Sequence, residues 1–217
     1  MAIAFLPRAL QPTDALLVID MQLDFLPGGA LAVANGDQII PGINKLAAKF
    51  DHVILTQDWH PAGHISFAST HHRKPFSDTI DAPYGTQTLW PDHCVQGTPG
   101  ARLHPDLQNP HAELILRKGF RQNVDSYSAF TENDRTTPTG LAGYLRERGL
   151  TRLFFTGLAF DFCVAYSALA AKSLGFDSIV LEDLTRPVAL PGTVEATHHA
   201  FSEANVQQTT SANLAHQ

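Results

Sequence analysis

The residues able to do chemistry in this chain sit where short apolar runs end. Ala15-Leu16-Leu17-Val18-Ile19 runs into Asp20, Val53-Ile54-Leu55-Thr56-Gln57 into Asp58, and Leu114-Ile115-Leu116 into Arg117 and Lys118. A fourth run, Leu153-Phe154-Phe155, turns at Gly157 and leads to Cys163. Phe162, Ala165, Tyr166 and Leu169 then keep helical spacing, which predicts Cys163 in the first turn of a helix. Unpaired backbone N–H groups and the helix dipole favour negative charge there, so the thiolate should be stabilised relative to a free cysteine of pKa about 8.5. Singly, these residues read as a turn carboxylate, a loop carboxylate, a solvated lysine and a small core thiol. Together at the carboxyl ends of parallel strands, where open sheets bind ligands, they read as a site.

A second signal is Asp58-Trp59-His60. In extended chain, residues i and i+2 point to one side, so a carboxylate and an imidazole converge. Further imidazoles follow at His64, His71, His72 and His93. Two histidines and one aspartate, with positions left for water, suit zinc, iron or manganese, although the spacing is not that of a zinc finger. Cys94 reads as a bystander packed beneath His93.

The elements that must position these residues alternate. Each apolar run is the pattern of a strand buried on both faces. Helical spacing follows the first run at Ile39, Ile43, Leu46, Ala47 and Phe50. Thr137-Pro138 predicts an N-cap and an N1 proline for a helix reaching Gly149. The helix carrying Cys163 should run to about Gly175, followed by a strand at Ser178–Leu181, a helix near Gly192–Ala204 and a sixth strand at Val206–Gln208. This predicts an α/β, Rossmann-like three-layer sandwich, a mostly parallel sheet of about six strands flanked by helices, in one domain over 1–217. From His60 to Pro110 the rhythm breaks into Pro, Gly and His, and Ile65, Phe67, Phe76, Tyr84, Leu89 and Trp90 predict a packed, site-forming loop there.

Composition narrows the class. The 217 residues are 44% hydrophobic and 17% charged, ordinary for a soluble globular protein. A formal net charge of -6 argues against nucleic acid or an anionic membrane as partner. Two cysteines are too few for a disulfide framework. The start, Met-Ala-Ile-Ala-Phe-Leu-Pro-Arg, lacks a basic leader region, and no apolar run approaches a membrane span. The expectation is a cytoplasmic protein with a small-molecule substrate.

Several motifs in order carry a resemblance: Leu-Leu-Val-Ile-Asp20-Met-Gln-Leu-Asp24-Phe25 with Gly28-Gly29, Gln57-Asp58-Trp-His60-Pro, and Trp90-Pro-Asp-His93-Cys-Val-Gln-Gly. Lys118-Gly119, Asp125-Ser126-Tyr127-Ser-Ala-Phe130 and Gly157-Leu-Ala-Phe-Asp-Phe-Cys163-Val complete it. Over nearly its whole length the chain resembles the nicotinamidase/pyrazinamidase family of isochorismatase-like cysteine hydrolases. The resemblance implies a catalytic triad of Asp20, Lys118 and Cys163, and one divalent metal, zinc first and iron or manganese next, on Asp58, His60 and His93 with His64 nearby. It places Phe25, Trp90 and Tyr127 around the substrate ring. It also implies a cis peptide before Ala159, turning the Ala159 N–H toward an oxyanion together with that of Cys163. Phe160 and Phe162 depart from close relatives and are expected to reshape packing behind the nucleophile.

The implied reaction is hydrolysis of nicotinamide to nicotinate and ammonia, and of pyrazinamide to pyrazinoate, through a Cys163 thioester in NAD salvage. The Asp20 pKa would be set by desolvation upward against Lys118 downward. The nearest rival in the superfamily is isochorismate hydrolysis, which needs no cysteine at position 163; the alternative that keeps the Asp-Lys-Cys set is another amidase acting on a different small amide. A dinucleotide-binding module lacks its Gly-x-Gly-x-x-Gly turn, and a redox role for Cys163 lacks a resolving thiol.

Overall fold

A computed structural model of the chain describes residues 9–214. The residues read above for a leader, and both ends of the expected 1–217 domain, lie outside the described residues. In chain order the strands are β1 (Asp14–Ile19), β2 (His52–Asp58), β3 (Thr79–Ala82), β4 (Gly85–Thr88), β5 (Leu114–Lys118), β6 (Arg152–Leu158), β7 (Asp177–Arg186) and β8 (Gln207–Thr209). The α-helices are α1 (Ile40–Ala47), α2 (Leu141–Glu147), α3 (Ala165–Ser173) and α4 (Thr193–Ala204).

Six strands form one sheet in the order β5-β2-β1-β6-β7-β8, and every pairing in it is parallel. This is the doubly wound arrangement, and its order reverses between β1 and β6. Side chains alternate across each strand and so feed two cores. Leu16, Val18, Val53, Leu55 and Phe154 meet Ile40, Ile43 and Leu46 of α1 on one face. Ala15, Leu17, Ile19, Ile54 and Phe155 meet Leu141 of α2, Ala165 and Ala168 of α3 and Phe201 of α4 on the other. With both faces covered, near-continuous apolar strands are what the environment demands, and the three-layer expectation holds. Among the described residues no helix is long and apolar enough to cross a membrane.

Local chemistry redraws several boundaries. Thr137 does not cap α2, because Asp134 takes both its N–H (2.8 Å) and its hydroxyl (2.6 Å) in a tight local turn. The helix starts later, after Gly140 at φ +100°, with the Leu141 N–H donating to the Thr139 hydroxyl (3.3 Å). β7 runs past Leu181 through exposed Glu182 and Asp183, whose polarity hid the continuation. The long loop holds an antiparallel hairpin, β3 with β4, that the sequence did not reveal. Gln87 is its only fully buried residue, so there was no apolar alternation to read.

Gly157 sets how closely β6 approaches β1 at the carboxyl edge. It pairs with Ile19, holds φ +98°, and a Cβ there would stand 2.1 Å from the Ile19 carbonyl oxygen. Left-handed backbone and a backbone clash together should make Gly157→Ala cost about 3 kcal/mol or more. Urea denaturation of the variant against the wild type measures this, and a loss below about 1 kcal/mol would contradict the packing described.

Candidate active site

The sheet brings the strand-end residues together through register. Asp58 and Lys118 are direct neighbours across β2 and β5. Asp20 follows β1, which lies beside β2 on one side and β6 on the other. The Lys118 ammonium is fully buried, 2.8 Å from Asp20 Oδ2 and 2.5 Å from Asp58 Oδ1. It donates also to the Ser126 carbonyl (2.9 Å) and lies 3.4 Å from Cys163 Sγ. The Thr56 hydroxyl donates to Asp20 Oδ1 (2.5 Å), while Asp20 Oδ2 faces the Lys118 ammonium, with a second lone pair left over. That oxygen keeps capacity to accept a proton. Donor atoms of Asp20, Asp58 and Cys163 all lie within 4.8 Å of one another.

Charge in this dry cluster follows burial first. Burial raises Asp20 above the ordinary carboxylate value, against the pull of Lys118. For Asp58 burial works the same way, but Lys118 and His60 outweigh it and hold the carboxyl well below that value. Burial would lower Lys118, yet Asp20 and Asp58 carry it well above its usual value. Burial pushes the Cys163 thiol well up, with Lys118 opposing and Asp20 adding to the rise. The expected stabilised thiolate is therefore corrected. Cys163 does sit in the first turn of the helix, a wide π-type turn at Phe160–Val164 that runs straight into α3, but desolvation outweighs that position.

Beside this cluster stands a set of metal donors. Asp58, His60 and His93 are all buried, with donor atoms within 4.8 Å of one another. His60 Nδ1 donates to the Gly119 carbonyl (2.8 Å) and His93 Nδ1 to the Pro91 carbonyl (2.7 Å). In its neutral form each ring thus presents a bare Nε2, 3.5 and 3.9 Å from Asp58 Oδ2 respectively; without an ion, burial would lower the His60 pKa but Asp58 outweighs it and raises it. Carbonyl-oriented imidazoles converging on a carboxylate are the donor chemistry and outer support a divalent ion requires. Burial, then the charge of His60, hold His93 at a pKa of about 4, neutral and able to ligate. His64 stacks on His60 at 4.3 Å, but both its nitrogens are engaged, by the Ser66 hydroxyl (2.8 Å) and the Val124 carbonyl (3.2 Å). His71 bonds the Ile65 carbonyl and stays out of the set, as does His72. Cys94 is buried, stays out as expected, and its N–H bonds Asp24 (2.7 Å).

Both groups open on one pocket of about 380 Å³, its mouth included. Phe25, Trp90 and Tyr127 line it together with Asp58, His93, Ala159 and Cys163. The Leu158–Ala159 bond is cis. Other lining residues were missed: Leu31, Asp125, Phe162 and Val188. Asp125 lay in the Asp125-Ser126-Tyr127 motif, where only the tyrosine was weighed. Phe162 does not pack behind the nucleophile. Its ring forms part of the wall, edge-on to Trp90 at 4.9 Å, whereas Phe160 packs behind, edge-on to Phe201 at 5.8 Å. Two buried amides also escaped notice. Gln22 ties the turn after β1 to the end of β2, donating to the Asp58 carbonyl (2.8 Å) and accepting from its N–H (2.7 Å). Gln87, on the hairpin, reaches the Tyr127 hydroxyl (2.8 Å) and Asp125 (3.2 Å), and Trp90 Nε1 donates to the same hydroxyl (2.9 Å).

The isochorismatase domain family model matches residues 14–213. The chain belongs to the isochorismatase family. Within that family it stands with the nicotinamidases: the nicotinamidase of Acinetobacter baylyi is 52% identical over 200 residues, 92% of this chain and 94% of that protein. The structure of the Acinetobacter baumanii nicotinamidase/pyrazinamidase superposes with a TM-score of 0.93 at 50% identity, covering 94% of this chain and 99% of that one. The pyrazinamidase of Pyrococcus horikoshii, solved in complex with zinc, superposes at 0.75 with 34% identity over 92% of this chain and 99% of that one.

Lys118→Ala should leave two buried carboxylates uncompensated and cost about 3–5 kcal/mol at pH 7 in metal-free protein. The Asp58 pKa is depressed on folding, so its contribution is present above 3.8 and fades as pH falls below that value. The gap between variant and wild type should therefore narrow on acidification, which urea denaturation across pH will show. A gap that widens would overturn the charge assignment.

Proposed function

We propose that this chain hydrolyses nicotinamide to nicotinate and ammonia, and pyrazinamide to pyrazinoate, in NAD salvage in the cytoplasm. The observation that carries the reading is the contact of the Cys163 thiol with a buried Lys118–Asp20 pair on the floor of an aromatic pocket. Residence of that pocket in a chain 52% identical to a nicotinamidase supports the choice of substrate.

The steps follow from the charges. Cys163 rests as a thiol because burial disfavours its anion, so a base is needed. Asp20, its pKa raised by burial against the pull of Lys118, takes the thiol proton as sulfur attacks the carboxamide carbon. The carbonyl electron pair moves onto oxygen, where the N–H groups of Ala159 and Cys163 receive it, an interaction whose loss costs on the order of 3 kcal/mol of transition-state stabilisation. Collapse breaks the C–N bond, and Asp20 returns its proton to the departing ammonia, leaving a thioester. Asp20 then takes a proton from water as water attacks the acyl carbon. Collapse expels the thiolate, which recovers the proton from Asp20, and the nicotinic acid released gives its remaining proton to solvent to become nicotinate. Lys118 holds Asp20 and stabilises sulfur anion throughout.

Phe25, Trp90 and Tyr127 sandwich the ring. Asp58, His60 and His93 would hold one divalent ion, zinc first, with iron and manganese also fitting the N and O donors. Bound there, the ion supplies Lewis acidity and an anchor for the ring nitrogen. Zinc in the Pyrococcus horikoshii pyrazinamidase supports this choice.

Ammonia release from nicotinamide by metal-replete protein tests the reading. Cys163→Ala should lower kcat at least about a thousandfold with metal content unchanged. His93→Ala should instead lose metal together with turnover. Since Asp20 acts deprotonated, kcat/KM should fall as pH drops through its pKa, placing the acid limb above the ordinary 3.8. No ammonia from the wild type, or an active Cys163→Ala, sinks the mechanism.

A further inference from the structure

The pocket has one wall that belongs neither to the sheet nor to the long loop. Between β7 and α4 runs a strap, Pro187-Val188-Ala189-Leu190-Pro191-Gly192, that places Val188 in the pocket lining. Val188 and Leu190 pack on the core face that holds Phe25, Trp90 and Ala159. No strand pairing fixes these residues; the start of α4 holds only the far end, where the Leu190 carbonyl accepts from the Thr193 N–H (3.1 Å) and that of Gly192 from the Ala196 N–H (3.0 Å), while Ala189 takes the left-handed conformation at φ +61°. The strap is held from the nucleophile's own turn. Asp161, buried two residues before Cys163, accepts from the Val188 N–H (2.8 Å), the Ala189 N–H (2.9 Å) and the Thr193 hydroxyl (2.5 Å).

The geometry points to Asp161 as a positioning residue that sets ring affinity by pinning Val188 against the pocket. One carboxylate is shared between the turn that presents sulfur and the strap that contributes Val188 to the pocket lining. The thiol and this wall therefore keep a fixed spacing, and an aromatic amide is gripped at the distance from which sulfur attacks. The Asp161 carboxylate itself does not line the pocket and touches no reacting atom. This inference rests on the amidase reading above.

A carboxylate presents acceptors on both sides, whereas an asparagine turns an N–H₂ toward strap donors on one of them. Asp161→Asn should raise KM for nicotinamide about tenfold while kcat stays within about threefold, the split expected when ground-state and transition-state binding weaken together. Alkylation of Cys163 by iodoacetamide should keep its wild-type rate, because the turn itself is unchanged. In a Val188→Ala background the same substitution should add less than about twofold to KM, since residues acting through one another are non-additive. Thr193→Val, which removes one anchor only, should raise KM about threefold and lose that effect in the same background, so the cycle stands even if Asp161→Asn does not fold. A merely structural Asp161 would instead shift Tm without this coupling. An unchanged KM, a fall in kcat alone, or a full KM effect persisting beside Val188→Ala overturns the proposal. A wild type inactive on nicotinamide counts against the amidase reading, whereas an active wild type with an additive cycle counts against the strap alone.

Discussion

A buried ammonium between two buried carboxylates is the constraint on which this site depends. Lys118 is buried, so its charge exists only because Asp20 and Asp58 face it, at 2.8 and 2.5 Å. Burying an ion without a partner costs several kcal/mol, and the three groups make one another permissible. The arrangement also divides labour. Asp58 gives one oxygen to Lys118 and turns the other toward His60 and His93, while Asp20 gives one to Thr56 and the other to Lys118. One lysine thus stands between two carboxylates of opposite tendency, Asp20 kept high by desolvation and Asp58 kept low by positive neighbours.

Much of this was legible in the chain because the site hangs from strand ends. A parallel sheet buried on both faces demands continuous apolar runs, and the residue that ends such a run lies on the carboxyl edge whatever its neighbours are. Asp20, Asp58 and Lys118 needed nothing more, and the strand from Leu114 to Lys118 was found to the residue. What stayed hidden lacks a period. The hairpin at Thr79–Thr88 buries one amide instead of an apolar face, so no alternation announces it. Gln22 and Gln87 matter through backbone and hydroxyl partners far along the chain, which composition and spacing do not encode. The thiol's charge was misjudged for a related reason. Helix position is local and readable, whereas the depth of burial that outweighs it is made by the whole fold.

The aromatic wall depends on the same distant contacts. Trp90 and Gln87 both donate to the Tyr127 hydroxyl, so two neighbouring residues from a distant segment fix one ring. Phe162 closes the series edge-on to Trp90, at the place where the nucleophile's turn reaches the wall. Aromatic rings held by hydrogen bonds at their polar tips keep little rotamer freedom, and a pocket made this way stays shaped before any ligand arrives.

The register that sets Asp58 beside Lys118 also bears on how the chain finds its fold. A slip of one residue between β2 and β5 would send these side chains to opposite faces and leave two charges stranded in apolar surroundings. Hydrophobic strands alone discriminate poorly among neighbouring alignments, since valine, isoleucine and leucine fill one another's places. The polar pair at the strand ends penalises every alignment but one. The groups that would do the chemistry therefore also proofread the sheet that carries them.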